Sequence, residues 1–305
     1  MENTQCLIIG SGPAGLSAAI YTARAGMTTV VAGCEPKIAG DYDIDNYFGF
    51  PETISGRELI TRGIRQAERF GTKIVCQRVL AVHMAEDGSF DVKTDQDAFT
   101  AQAVIIAAGV NRVRPGIANI GDYEGKGVSY CVSCDGFFFR GRTVLVVGEG
   151  NYAANQALEL TNFTSDVAVY TQGKAAAMDE PFATALAKAG IPVLTAKIAS
   201  LAGEPAMTGA VLEDGTTIPA EGLFVAMGQA SALDFAKTLG VATRGAFIEA
   251  DHEQKTNVPG VFAAGDCVGH FMQISVAVGE GAKAGRAAIA HIKDRGEKAG
   301  ATSQP

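Results

Sequence analysis

Two glycine-rich turns decide most of what this chain can fold into. Gly10-Ser-Gly-Pro-Ala-Gly15 follows the apolar run Gln5-Cys-Leu-Ile-Ile9 and opens a helical pattern from Leu16 to Ala25. Gly148-Glu-Gly-Asn-Tyr-Ala153 follows Arg142-Thr-Val-Leu-Val-Val147 and opens another through Leu160. A strand, a G-x-G-x-x-G/A turn and a helix begin a dinucleotide-binding unit. The first glycine permits the turn, the second lets backbone approach a pyrophosphate, and the third lets helix pack on strand, with the helix N-terminus aimed at the negative charge. Two such units in 305 residues predict an α/β protein with two doubly wound, Rossmann-like domains. After the first turn, Thr28-Thr-Val-Val-Ala32 runs into Glu35, at the distance where an acid binds a ribose hydroxyl.

Between the turns lies Ser129-Tyr-Cys-Val-Ser-Cys-Asp-Gly-Phe-Phe-Phe-Arg140. Cys131 and Cys134 can close a small disulfide, and Asp135 behind them can supply or remove the proton that thiol–disulfide exchange requires. Zinc would need two further ligands at short spacing; Cys6, Cys34, Cys76 and Cys267 read as isolated, and the four histidines form no pair. No metal site is expected. Cysteines are too few for a disulfide scaffold, so the pair reads as redox-active.

A further strand–turn–helix signal closes the chain, Val258-Pro-Gly-Val-Phe-Ala-Ala-Gly-Asp266 followed by Gln273-Ile-Ser-Val-Ala-Val-Gly-Glu-Gly281. Together with Gly10–Gly15, Ala107-Ala-Gly109 and the CxxC followed by Asp-Gly-Phe-Phe, it stands in the order and spacing of the low-molecular-weight thioredoxin reductases. The chain resembles that family over nearly its whole length. The resemblance implies FAD as cofactor, with Gly10, Gly12, Pro13, Ala14 and Gly15 around its pyrophosphate and Glu35 on the adenosine ribose. Asn46, Ala108, Gly109, Gly265, Asp266, Gln273 and Ile274 would lie along the rest of the flavin. It also implies that Cys131 attacks a protein disulfide, that Cys134 faces the flavin, that Asp135 is the acid–base, and that the protein is a homodimer.

The second glycine turn departs from the family, where this unit binds NADPH. Glu149 puts a negative charge where pyrophosphate should lie, and Tyr152 puts a large ring at the helix N-terminus. The next strand, Asp166-Val-Ala-Val-Tyr170, ends in Thr171-Gln-Gly-Lys174 and Ala175-Ala-Ala-Met178 instead of an arginine cluster. One lysine remains, and it does not replace the bidentate fork that reads a 2′-phosphate. Relatives that lack these motifs take electrons from ferredoxin or carry a second flavin in the vacated site, and the chain resembles them in this loss. Three readings follow. The leading one is an FAD-dependent reductase of a protein disulfide, thioredoxin by resemblance, whose donor is not NADPH. An ordinary NAD(P)H-dependent reductase, or one binding NAD(P)H weakly, is the second. A flavin/CxxC redox sensor is the third.

Flavin signals at both ends predict a discontinuous FAD-binding domain, 1–114 with 241–305, and an inserted domain, 115–240, carrying the CxxC. Arg112-Val-Arg-Pro-Gly116 and Lys237-Thr-Leu-Gly240 read as the crossings. Phe90–Thr94 alternates and predicts a small antiparallel excursion, and Ala103–Ala107 a fully buried strand; Phe137–Phe139 reads first as core and second as part of a partner-docking face. The tail from Lys293 to Pro305 reads as loose. A net charge of −8 with no basic run argues against nucleic acid, although Arg57, Arg62, Arg65 and Arg69 could offer a local basic face to an acidic ferredoxin. No apolar stretch is long enough to span a bilayer and nothing at the start resembles a signal peptide, so a cytoplasmic protein is expected.

Overall fold

The computed structural model describes residues 1–40, 43–110 and 113–302. The chain divides into two compact units, Met1–Asn111 with Ser231–Pro305, and Arg112–Ala230. The return crossing therefore lies at Ala230–Ser231, earlier than the expected 240–241. A capping box explains the difference. Ser231 accepts from the Asp234 amide while the Asp234 carboxylate accepts from the Ser231 amide, which starts the helix Ala232–Thr238. That helix buries Phe235 and packs on the strand Val79–Met84 of the first unit. Arg112, named in the outward crossing, lies outside the described residues.

In the first unit the strands Lys73–Val75, Thr29–Ala32, Glu2–Ile9 and Ala98–Ile106 run parallel, in that order. The nine-residue strand Ala98–Ile106 carries two neighbours on its far edge. Its first half pairs antiparallel with Phe90–Thr94, and its second half pairs parallel with Val261–Ala263. The run from Ala103 to Ile106 has no solvent exposure, as a strand covered on both faces requires. Against this sheet lie the helices Pro13–Arg24 and Ile274–Thr302. Gly281 and Gly285 let the longer helix reach the backbone of the shorter: a Cβ at Gly281 would overlap the Ala14 carbonyl, and one at Gly285 would come within 2.8 Å of the Ala18 carbonyl oxygen. Ser17 Oγ donates to the Val278 carbonyl at 2.8 Å between them.

The described part of the tail is helical where a loose segment was expected. The last helix continues to Thr302, and Arg295 on it donates to the carbonyls of Asp87, at 3.0 Å, and Gly88. Residues 303–305 lie outside the description. Among the described residues no helix is long and apolar enough to cross a membrane.

The second unit holds a five-stranded parallel sheet in the order Val193–Leu194, Val167–Tyr170, Val144–Val147, Gly222–Val225, Val128–Ser129. A separate antiparallel sheet, Ile198–Ala202, Gly209–Leu212 and Thr217–Pro219, has no counterpart in the sequence reading. Both units are α/β with a parallel sheet at the centre, which is the fold class expected from the two glycine turns.

Candidate active site

Cys131 and Cys134 form a disulfide with their Cα atoms 5.3 Å apart. Cys131 is the N-cap of the one-turn helix Val132–Asp135, and its sulfur accepts from the Cys134 amide at 3.2 Å. An amide directed at a sulfur favours its thiolate once the disulfide opens. Cys131 is buried, with 4% exposure, whereas Cys134 is exposed. Two residues without an assigned role in the sequence reading hold the pair. Ser129 Oγ donates to Asp135 Oδ2 at 2.6 Å and accepts from the Cys131 amide at 3.1 Å. Gln156, buried on the helix Asn151–Leu160, accepts from the Val132 amide at 3.3 Å. Ser129 lies inside the quoted motif, six residues before Asp135, so the signal was local although no role was read from it; Gln156 depends on the tertiary fold.

The aromatic run behind the disulfide is not all core. Phe139 is buried and meets Phe224 edge-on at 5.2 Å, but Phe137 and Phe138 are 59% and 68% exposed. The tight 3-10 turn Gly136–Phe139 points successive side chains in different directions, so only one can reach the sheet.

In the first unit three of the sequence motifs meet at the carboxyl ends of the parallel strands. A Cβ on Gly10 would overlap the Ala107 carbonyl, which places Ala107–Gly109 against the first turn. A Cβ on Gly265 would lie 2.9 Å from Ala14 Cβ, which places Gly265–Asp266 against the same turn. Gly265 has φ +82°, and its amide donates to Glu280 Oε2 at 2.8 Å; Glu280 Oε1 lies 2.6 Å from His270 Nδ1. Buried Glu280 thus orients the turn that ends in exposed Asp266, a role absent from the sequence reading. Asn46 Nδ2 donates to Gln273 Oε1 at 3.0 Å, and Ile274 begins the last helix beside it. Pro13 occupies the first turn of its helix, whose N-cap Gly12 offers no side chain to the free amides.

Cys34 and Cys76, read from sequence as isolated, are joined as a disulfide with Cα atoms 4.5 Å apart. The parallel register Ala32↔Val75 brings the residues after both strands together, across 42 positions of sequence. Cys6 and Cys267 are free and buried, and burial pushes both thiols up to about 12, so neither is poised for exchange.

The second glycine turn is occupied by the chain itself. Lys174 Nζ pairs with Glu149 Oε1 at 2.5 Å, and Glu149 Oε2 accepts from the Gly228 amide at 3.4 Å. Partial burial pushes the Glu149 carboxyl up, but the Lys174 ammonium and the amides outweigh it and hold the group below its ordinary value. Ala177 folds over the turn, its amide donating to the Glu149 carbonyl at 2.7 Å in a bridge between Gly150 and Ala177. At the start of the following helix, buried Asn151 donates to Asp179 Oδ2 at 2.5 Å and accepts from the Asp179 amide at 2.8 Å. Tyr152 is buried in the same turn.

Two parallel-sheet units, one with an open glycine turn and the other with a two-residue-spaced disulfide, define a nucleotide-linked disulfide oxidoreductase. Residues 4–281 match the family model of the pyridine nucleotide-disulphide oxidoreductases. The chain is 34% identical over 302 residues to a thioredoxin reductase of Streptomyces clavuligerus, covering 91% of this chain and 90% of the relative. Among solved structures, the atypical thioredoxin reductase TRi of Desulfovibrio vulgaris Hildenborough is 63% identical, with a TM-score of 0.94 over 95% of this chain and 98% of that one. A ferredoxin-flavin thioredoxin reductase of Clostridium acetobutylicum is 28% identical, with a TM-score of 0.62 over 96% and 99%. The chain belongs to the pyridine nucleotide-disulphide oxidoreductases and, within them, to the thioredoxin reductase family. It is an enzyme of the flavoprotein disulfide oxidoreductase class.

Proposed function

We propose that this enzyme reduces a protein disulfide of the thioredoxin kind with FAD and the Cys131–Cys134 pair, and that it draws its electrons from a donor other than NADPH. The open cradle at Gly10–Gly15 supports FAD. Its N-cap Gly12 faces space in which an added Cβ would meet only Pro36 Cβ, at 3.9 Å, and has no side chain to cap the helix amides. Gly10, Gly12, Pro13, Ala14 and Gly15 would hold the pyrophosphate and Glu35 the ribose. Ala108, Gly109, Gly265 and Asp266 would take the middle of the cofactor, and Asn46, Gln273 and Ile274 the ring end. When bound, FAD supplies two-electron reduction of a disulfide.

The chain's own residues do the rest. In the disulfide state exposed Cys134 is the more accessible of the two sulfurs, which suits the flavin-facing role. Once the pair is reduced, the Cys131 thiolate attacks the partner's disulfide and displaces one partner thiolate. Cys134 then attacks the mixed disulfide, restoring the internal disulfide and releasing the second partner thiolate. Asp135, fixed by Ser129, is placed to take the proton from one thiol and return it to a leaving thiolate. Exposed Phe137 and Phe138 offer an apolar contact to the partner protein. A homodimer fits the family.

The closed second turn carries the claim about the donor. Its remaining cation is spent on Glu149, its backbone is covered by Ala177, and its helix N-terminus is met by Asp179. This arrangement supports a low-potential carrier such as ferredoxin over NADPH. Arg57, Arg62 and Arg65 on the helix Gly56–Glu68, with Arg69 after it, are exposed and open to an acidic carrier, although Arg62 is already paired with Glu58 at 2.5 Å. Anaerobic titration of the purified protein with NADPH, NADH and reduced ferredoxin, following flavin absorbance, tests the reading. Reduction by the low-potential donor with millimolar NADPH ineffective is expected. Rapid, saturable reduction at micromolar NADPH would overturn it.

A further inference from the structure

We propose that Cys34 and Cys76 form a second redox site, a latch opened by dithiols that sets the conformation of Glu35 and so the grip on the adenosine end of the cofactor. The latch itself stands on the geometry below; its effect on FAD rests on the reading of the Gly10–Gly15 cradle given above.

The covalent link is not needed to align its strands. The register Val30↔Lys73 to Ala32↔Val75 already does so, and the Gly33 amide extends it by donating to the Val75 carbonyl at 3.1 Å. What the link restrains is the segment after the strands. Glu35 has φ +37°, a left-handed conformation that a residue with a side chain keeps only when its neighbours hold it. Its two neighbours are Cys34, tied to Cys76, and Pro36, whose ring fixes its own φ and disfavours helical backbone in the residue before it. The same segment walls the cradle. A Cβ on Gly33 would lie 2.8 Å from the Ser11 amide nitrogen, and Pro36 is the group nearest to Gly12.

The sulfurs are placed for exchange. Cys76 is exposed and Cys34 half-buried, in contrast to the buried thiols Cys6 and Cys267. A thiolate of a small or protein dithiol attacks Cys76 Sγ, breaking the bond to Cys34, which leaves as thiolate and takes up a proton. The second thiol of the reductant then attacks the mixed disulfide and releases Cys76. Two electrons and two protons pass to the chain, and the reductant becomes a disulfide. Glu35 is then free to leave its left-handed conformation.

The test uses the full chain carrying Cys131→Ser and Cys134→Ser, so that one disulfide remains. The folded protein is equilibrated with graded ratios of reduced and oxidised dithiothreitol. Alkylation with mass spectrometry reads Cys34 and Cys76, hydrogen exchange reads peptide 33–40, and titration reads FAD affinity. Cys34 and Cys76 should gain label together and reversibly, exchange in 33–40 should rise at least fivefold, and FAD should bind about tenfold more weakly in the reduced form. A Cys34→Ser, Cys76→Ser chain should match the reduced form in exchange and affinity. Cysteines already labelled in the air-oxidised protein, or resistant to excess dithiothreitol until it unfolds, would overturn the proposal. So would exchange in 33–40 that ignores the thiol state. A chain that binds no FAD in either state would instead overturn the reading of the cradle, leaving labelling and exchange to decide the latch.

Discussion

Asn46 donates to Gln273 across 227 positions of sequence, at 3.0 Å, and joins the segment before the helix Gly56–Glu68 to the start of the last helix. Both were expected beside the flavin from the family resemblance, and the bond makes them one element. Replacing Gln273 by Ala leaves Asn46 without that acceptor. Flavin fluorescence and bound-FAD stoichiometry should show a cofactor held about fivefold to tenfold less tightly, an effect on the order of 1 kcal/mol. Unchanged affinity would mean that the pair plays no part in holding the cofactor.

Gly12→Val separates cofactor binding from folding. Its side chain meets open space at the fingerprint, so the chain should fold with a near-native melting temperature yet purify without FAD. Gly281→Val should do the reverse, because its side chain strikes the Ala14 backbone inside the helix pair. A loss of about 1–3 kcal/mol, read by urea denaturation, is the expected scale for overpacking. Full flavin occupancy in Gly12→Val would remove the assignment of the cradle.

Cys131→Ser and Cys134→Ser should each abolish protein-disulfide reduction while leaving FAD bound, because exchange needs an attacking and a resolving thiol. Asp135→Asn should slow turnover by about a hundredfold, as loss of a general acid–base group does. Ser129→Ala should lie between that variant and wild type, since it only orients the carboxylate. Stopped-flow kinetics with oxidised thioredoxin distinguishes the three levels.

Phe137→Ala with Phe138→Ala should raise the KM for the protein partner about tenfold, with little change in kcat or in reduction of a small disulfide. Equal losses for both substrates would move these rings from docking to structural support.

Stability of the second unit should depend on pH through Glu149. Its carboxyl lies below its ordinary value in the folded chain, so the Lys174 pair stabilises at neutral pH. That contribution is complete above the carboxyl's unfolded pKa and disappears as the pH falls through the lower folded one. The stability difference between wild type and Glu149→Gln, measured by denaturant titration from neutral to acid pH, should shrink on acidification. A difference that grows on acidification would reverse the assignment. NADPH should remain ineffective in Glu149→Gln, because Ala177 still covers the turn.

Local pattern made the strands flanking both glycine turns, the turns themselves and the CxxC pair legible, because each is set by residues within a few positions of one another. The antiparallel pairing of Phe90–Thr94 was equally local. Cys34 and Cys76 were not legible as a pair, since their meeting depends on the order of strands in the sheet. The fold-back of Ala177 and the Asn151–Asp179 bonds likewise belong to the tertiary path after Tyr170. The loss of arginines there could be read in sequence, but not what replaces their ligand. The tail misled because its small residues look loose until Arg295 finds the carbonyls of Asp87 and Gly88. Ser231 and Asp234 form a local capping signal that marks a helix start at Ala232, ahead of the expected crossing.

The shared edge of Ala98–Ile106 has a consequence for how the protein is made. Its first half finds Phe90–Thr94 as soon as that hairpin leaves the ribosome, but its second half waits for Val261–Ala263. By then the whole of Arg112–Ala230 has been synthesised. The inserted unit can therefore fold while its host still has an open strand edge, and the host closes last through its most distant pairing. A nascent chain whose Ala230 has just cleared the ribosome would carry a finished dithiol module on an unfinished flavin module, with the apolar edge from Val104 to Ile106 exposed to any passing strand.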